Sequence, residues 1–163
     1  YRNSVIATHK MYQALLNTPV GTLLIEGTRE AVTAVRFVAP DTPVGKPNRV
    51  VNQARTQLRQ YFRGKRQAFD VPLDLSMCSE FQKRVLAEVQ AVEYGQTTTY
   101  AEVARKIKRV TASRAVGGAN ARNPISILIP CHRVIATNGK LTGYGGGLKA
   151  KEWLLLHEKA VLV

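Results

Sequence analysis

The stretch TYAEVARKIKRVTASRAVGGANARNPISILIPCHRV, residues 99–134, sets the reading of the whole chain. Thr99 stands three residues before Glu102, the spacing of a capping box, so a short helix carrying Val103 and Ile107 is predicted to start there. Ser113 or Thr111 can cap a second helix, which has to stop by Asn123 because the residue before Pro124 is disfavoured in the α region. Two short helices joined by Lys108-Arg109-Val110-Thr111 predict a helix-turn-helix, although a plain helical hairpin fits the same pattern. Ile125-Ser126-Ile127-Leu128-Ile129 then reads as a buried strand. Pro130, with no N–H and a fixed φ, ends that strand and puts Cys131 at a forced change of backbone direction.

Upstream, Ser79 and Gln82 repeat the capping-box spacing, and Phe81, Val85, Val89 and Val92 fall on one helical face that ends near Gly95. Further back, Met11 to Leu16, Thr22 to Glu26 and Ala31 to Val38 read as strands of antiparallel hairpins, after a loose arm over residues 1–10. A Pro/Gly-rich loop from Pro40 to Pro47 leads into a helix with Val51, Ala54, Leu58 and Phe62 at helical spacing and Gly64 as its stop. Residues 65–78 read as a linker. The expectation is an α+β chain with a small N-terminal antiparallel-sheet domain plus linker over residues 1–78 and a mostly helical domain over residues 79–163.

Lys and Arg total 24 against 11 Asp and Glu, a formal charge of +13, which favours a polyanionic partner, with nucleic acid first. No apolar run long enough for a membrane span and no signal peptide can be read, so the expectation is a cytoplasmic protein without a membrane partner. The charge is not segregated, but residues 105–122 hold Arg105, Lys106, Lys108, Arg109, Arg114 and Arg122 with no acidic residue, a candidate phosphate-facing surface as well as an ordinary solvated face. Two cysteines, Cys78 and Cys131, make no disulfide framework, and His9, His132 and His157 have no zinc spacing, so free thiols and no metal are expected.

A lone cysteine is usually a small buried hydrophobe, and Cys78 is read that way. Cys131 differs because of Pro130 before it and His132 and Arg133 after it. In a regular strand Cys131 and His132 would face opposite ways, so their partnership needs an irregular turn or a bridging water. Positive charge from Arg133 or a charged imidazole would favour the thiolate, the nucleophilic form. These residues alone leave a reactive and an inert Cys131 equally open.

Pro130-Cys131-His132-Arg133-Val134 resembles the active-site motif of the O6-alkylguanine-DNA alkyltransferases. The resemblance runs in one register over about residues 79–160, through Ser113-Arg114-Ala115-Val116-Gly117-Gly118-Ala119-Asn120, Asn123-Pro124, Gly143-Tyr144-Gly145-Gly146-Gly147-Leu148 and Lys151-Glu152-Trp153-Leu154-Leu155. The first 78 residues match only in their strand-then-helix order. The resemblance implies an RNase H-like N-terminal domain packed on a winged-helix-like domain. It also implies single-turnover repair of double-stranded DNA, in which the alkyl group of O6-alkylguanine, and of O4-alkylthymine, passes irreversibly to Cys131.

By the same resemblance, His132 acts through water as general base, Glu158 orients the imidazole, Tyr100 donates to the flipped base beside its phosphate, and Asn123 ties the recognition helix to the active-site strand. Arg114 is implied to fill the space the base leaves, while Tyr100, Ala115, Gly117, Gly118, Ala119 and Asn120 meet the minor groove. Val134, Tyr144, Gly145 and Gly146 are implied to form the base pocket, where some relatives have a serine in place of Gly145. On their own residues, Glu158 reads as a partner of Lys151 or Lys159 on a solvated helix, Tyr100 as a core tyrosine and Arg114 as a surface arginine. The glycine loop lacks the Lys-Ser/Thr ending of a phosphate cradle, so no cofactor is expected. The protein is expected to act as a monomer able to bind DNA cooperatively, with Cys131 at the floor of a base-sized pocket. A non-catalytic lesion binder, which would lack the cysteine, and a Cys-His hydrolase, which would turn over, are the rival classes.

Overall fold

The computed structural model describes residues 11–160, and the arm expected over residues 1–10, His9 included, lies outside them. The chain divides between Asp74 and Leu75 into two compact units.

In the first unit β1 (Tyr12–Thr18), β2 (Gly21–Gly27) and β3 (Val32–Val38) form an antiparallel sheet in the order β1-β2-β3. The β1–β2 register closes on Thr18 opposite Gly21, so Pro19-Val20 is a two-residue hairpin loop, and Gly21 takes φ 125°, a value side chains rarely adopt. Central strand β2 buries Leu23, Leu24 and Ile25 in succession, so both its faces are covered. Helix α1 (Arg49–Phe62) packs on the sheet through Val51, Ala54 and Leu58, with Asn48 Oδ1 accepting from Val51 N (2.9 Å) as its cap and Gly64 at φ 73° just past its end.

Residues 65–78 are not the free linker expected. Val32 N donates to the Pro72 carbonyl (2.9 Å) and Asp74 N to the Val32 carbonyl (2.9 Å), so residues 72–74 extend the sheet edge. The Gln57 amide donates to the Asp70 carboxylate, which holds the same segment to α1. An edge strand with unpaired backbone groups gains more from this pairing than a solvated loop does.

The second unit is mostly helical: α2 (Glu80–Gln90), β4 (Thr98–Thr99), α3 (Tyr100–Lys106), α4 (Ser113–Ala121), a 3-10 turn (Cys131–Arg133), β5 (Val134–Ile135) and α5 (Leu148–His157). Val85, Leu86, Val89, Val103, Val116, Leu154 and Leu155 make its core, each worth about 1.5–3 kcal/mol of apolar burial. Strands β4 and β5 pair in parallel, Thr98 with Val134 and Thr99 with Ile135, and so bring the start of α3 beside the end of the cysteine turn.

Three local expectations are corrected. Ser79 and Thr99 do cap their helices, accepting from Gln82 N and Glu102 N (both 3.1 Å), but neither box is reciprocal. The Gln82 amide instead donates to the carbonyls of Ala119 and Arg122, and Glu102 pairs with Arg105. Helix α4 starts after Ala112, with no side-chain cap from Thr111 or Ser113. Residues 125–129 are buried as expected, yet they form a tight turn and not a strand, with Ile127 at φ 72° and Ile129 N bonded to the Ile125 carbonyl (3.0 Å).

Candidate active site

The turn over residues 125–129 exists because a side chain takes the place of a neighbouring strand. Asn123 Oδ1 accepts from Ile125 N (3.0 Å), and its amide donates to the carbonyls of Ile129 (2.8 Å) and Ile125 (3.4 Å). Asn123 therefore joins the end of α4 to the approach of the cysteine, and its side chain acts to lower the Cys131 thiol. Cys131 opens the 3-10 turn after Pro130, an irregular turn of the kind a Cys-His partnership needs.

Burial pushes the Cys131 thiol up, opposed by the Asn123 side chain, by the charge of Lys151 and by the backbone N–H groups of residues 131 and 132. At 6% exposure the residue is nearly enclosed. Cys78, expected buried, is half-buried, and both thiols are free.

His132 and Glu158 meet without solvent. His132 Nε2 lies 2.8 Å from Glu158 Oε2, and Arg133 donates to both carboxylate oxygens, Nε to Oε1 at 2.8 Å and Nη2 to Oε2 at 3.0 Å. Both Glu158 and His132 are buried, so the solvated-helix alternative for Glu158 is overturned. Burial would raise the Glu158 carboxyl, but the hydrogen bonds of His132 and Arg133 outweigh it and hold the group at about 2. An ionised Glu158 accepts a hydrogen bond from Nε2–H, which leaves Nδ1 as the unprotonated nitrogen, with no hydrogen-bond partner among the described residues. Burial holds the imidazole pKa below its usual value against the pull of Glu158, so the ring is neutral at pH 7.

Arg133 does not serve the thiolate as sequence reasoning expected. Its guanidinium is committed to Glu158 and to the Val92 carbonyl (2.7 Å). The cation acting on the sulfur is Lys151, fully buried on α5, which reading of the sequence missed. A signal existed: Ala150, Leu154 and Leu155 share the buried face of α5, and Lys151 falls within it.

The second face of the site carries α3 and α4. Arg114 and Ala115 are exposed, and Gly117 sits beside Tyr100, whose ring carbon would lie 3.7 Å from a Cβ there. Ala119 and Asn120, expected on the outer face, are buried: Ala119 packs in the core and the Asn120 amide donates to the Cys131 carbonyl (3.2 Å). The half-turns of a helix that face a core cannot also face a partner. The Tyr100 hydroxyl is hydrogen-bonded to Thr142 Oγ1 (2.8 Å), a contact the sequence gave no sign of.

Val134 is buried in β5. Tyr144 sets its ring edge-on to His132, centroids 6.4 Å apart, and burial raises its phenol well above the usual value, so it stays protonated. Gly145 and Gly146 form the turn before Gly147 (φ 92°) and α5, and a Cβ at Gly145 would meet nothing within 4 Å, so a serine fits there. Among the described residues no cluster of His, Cys, Asp and Glu could hold a metal, and no helix is long and apolar enough to cross a membrane.

Comparison with known proteins follows the same division of the chain. The family model described as 6-O-methylguanine DNA methyltransferase, DNA binding domain, matches residues 80–160, and the one described as its ribonuclease-like domain matches residues 11–75. A methylated-DNA–protein-cysteine methyltransferase of Methanosarcina acetivorans is 44% identical over 151 residues, covering 89% of this chain and 96% of the relative. One of Mycolicibacterium paratuberculosis is 43% identical over 149 residues, with 88% and 90% covered. The structure of Mycobacterium tuberculosis O6-methylguanine methyltransferase superposes with a TM-score of 0.83 at 40% identity, covering 92% of this chain and 93% of that one. Mycobacterium tuberculosis OGT in complex with DNA gives 0.82 at 41% identity, with 91% and 92% covered.

Proposed function

The chain belongs to the 6-O-methylguanine DNA methyltransferase family, and from that premise we propose that it repairs double-stranded DNA by moving the alkyl group of O6-alkylguanine, and of O4-alkylthymine, onto its own Cys131. Its activity is that of a methylated-DNA–protein-cysteine methyltransferase. The observation that carries the residue assignment is the buried His132–Glu158 pair next to Cys131 in the chain, in which a neutral imidazole offers Nδ1 while its other nitrogen is locked to an ionised carboxylate.

The step balances as a displacement at carbon. The thiol proton passes through a water to His132 Nδ1, the sulfur attacks the alkyl carbon, and the carbon–O6 bond breaks with its electron pair going to the base. Guanine leaves far better neutral than as an anion, so it takes a proton as it departs, from the Tyr100 phenol. Asn123 lowers the thiol and so favours the thiolate, and Glu158 keeps the imidazole in the tautomer that can accept. The product is a thioether that water does not cleave, so each chain acts once.

O6 of a stacked guanine is beyond the reach of a buried sulfur, so the base is flipped out through the minor groove at a cost of about a few kcal/mol. Exposed Arg114 fills the space behind it, and Ala115, Gly117 and Gly118 leave α4 slim enough to approach the backbone closely.

Methylated DNA carrying a radiolabel in the methyl group tests this reading. The expected result is label on Cys131 rising to one per chain and no further, and none with Cys131→Ala, which still binds DNA. Label released to solution would instead mark a hydrolase, and binding without transfer a lesion-binding protein.

A further inference from the structure

Lys151 is the charged group that the proposed relay does not use. Its side chain has no solvent exposure, and Nζ donates to the carbonyls of Val134 (2.7 Å) and Thr142 (2.8 Å). The two carbonyls satisfy two of its three N–H groups but do not cancel its charge, and an unpaired buried ammonium costs several kcal/mol. Among the described residues Glu80 pairs with Lys83, Glu102 with Arg105, and Glu158 with His132 and Arg133.

The charges around the site then balance in one way. Arg133 and Glu158 cancel, His132 is neutral, Tyr144 is protonated, and what remains is the ammonium of Lys151 and the sulfur of Cys131. Val134, whose carbonyl holds Nζ, directly follows the Cys131–Arg133 turn and bonds the Cys131 carbonyl through its own N–H, so the ammonium is anchored at the cysteine turn. There Lys151 lowers the thiol, while burial brings Lys151 down to about 8 and an ionised Cys131 pushes it back up. Lys151 also lowers the imidazole of His132, which helps to keep that ring neutral.

We propose that Lys151 is a positioning residue for the transfer reaction, the buried counter-charge of the Cys131 thiolate, held in place by the carbonyls of Val134 and Thr142. The proposal rests on Cys131 being the acceptor. A hydrocarbon of the same length would bury at lower cost, so the charge is kept for the state in which sulfur is an anion. The same two hydrogen bonds link β5 to Thr142, on which the Tyr100 hydroxyl rests, and thereby fix the base-facing phenol relative to the nucleophile. Once sulfur is a thioether it no longer ionises, and Lys151 loses its counter-charge.

The test titrates the thiolate by its ultraviolet absorbance in a Cys78→Ser background, with the Cys131→Ser protein subtracted. Lys151→Met is expected to move the midpoint up by about one unit or more, a tenfold loss of thiolate at a given pH, and Lys151→Arg to restore much of it. A folded Lys151→Met protein with the parent midpoint overturns the proposal, because a merely structural lysine would leave the titration where it was.

Coupling is reciprocal, so a second measurement avoids replacing the lysine at all. The Lys151 side chain, followed by NMR, is expected to titrate at lower pH in Cys131→Ser than in the parent, and equal midpoints overturn the proposal. Neither titration involves DNA. A failure here beside normal methyl transfer therefore rejects the role of Lys151 alone, whereas an absence of label on Cys131 rejects the acceptor assignment.

Discussion

Glu158 sits 2% exposed between two donors that want it charged, His132 and Arg133, and this fixes how the protein responds to acid. Its folded pKa of about 2 lies below the unfolded value near 4.3, so the stability it contributes is complete above the unfolded pKa and is lost as pH falls through the folded one. About 3 kcal/mol should disappear between roughly pH 5 and pH 2. Glu158→Gln removes that slope and leaves the Arg133 guanidinium buried beside a neutral amide, so the variant should also be less stable at neutral pH by about 3–5 kcal/mol. Denaturant melts across this range check both effects, and a variant tracking the parent curve would reject the clamp. At this scale the sequence exposed Cys131, because Pro130 forbids a ladder there. It exposed the inward turn of Asn120 not at all and Lys151 only through the apolar face it shares with Ala150, Leu154 and Leu155, since a lysine or asparagine on a helix is normally solvated and the packing of α4 and α5 buries these two.

Between residues and fold, the informative element is the apolar run over residues 125–129. Its composition argued for a strand, yet Asn123 occupies the carbonyls of Ile125 and Ile129, and Ile127 takes a positive φ that costs a β-branched residue about 1–3 kcal/mol. That strain persists because Ile127 is packed at 1% exposure. Asn123→Ala should therefore do two things at once. Leaving the buried Ile125 N–H without its acceptor should lower stability by about 1–3 kcal/mol, and removing the side chain that lowers the thiol should raise the Cys131 titration and slow methyl transfer. Thermal melts together with single-turnover rates at several pH values separate the two, and a slower rate unchanged in its pH dependence would confine Asn123 to scaffolding. Other elements were legible where the signal was local: the caps at Ser79 and Thr99, the stop at Gly64, the limit set by Pro124. What stayed hidden depended on distant partners, such as Gln82 reaching the end of α4 or residues 72–74 completing the sheet edge at β3.

Over the whole molecule the formal charge of +13 overstates what a DNA backbone can feel. Arg133 and Lys151 are buried, and Arg105 is paired with Glu102. Lys106, Lys108, Arg109, Arg114 and Arg122 remain as exposed cations of α3, α4 and their connecting turns, with no ion pair to an acidic side chain among the described residues. Counting about three to five phosphate contacts, the logarithm of the association constant should fall against the logarithm of salt concentration with a slope of about −3 to −5. A slope near −10 would mean that basic residues of the first unit also neutralise phosphates, and the site would then be larger than α3 and α4. Substitutions divide the remaining contributions. Lys108→Ala, removing a backbone contact, should make the slope shallower by about one and weaken all sequences alike. Arg114→Ala should leave the slope within about one of the parent's, because a guanidinium filling the base stack adds no backbone contact. It should nonetheless slow repair of duplex DNA far more than repair of a single strand, whose bases need no replacement in a stack. Equal slowing on both substrates would return Arg114 to the ordinary phosphate contacts, and duplex repair at the parent rate would remove it from the flipping step altogether.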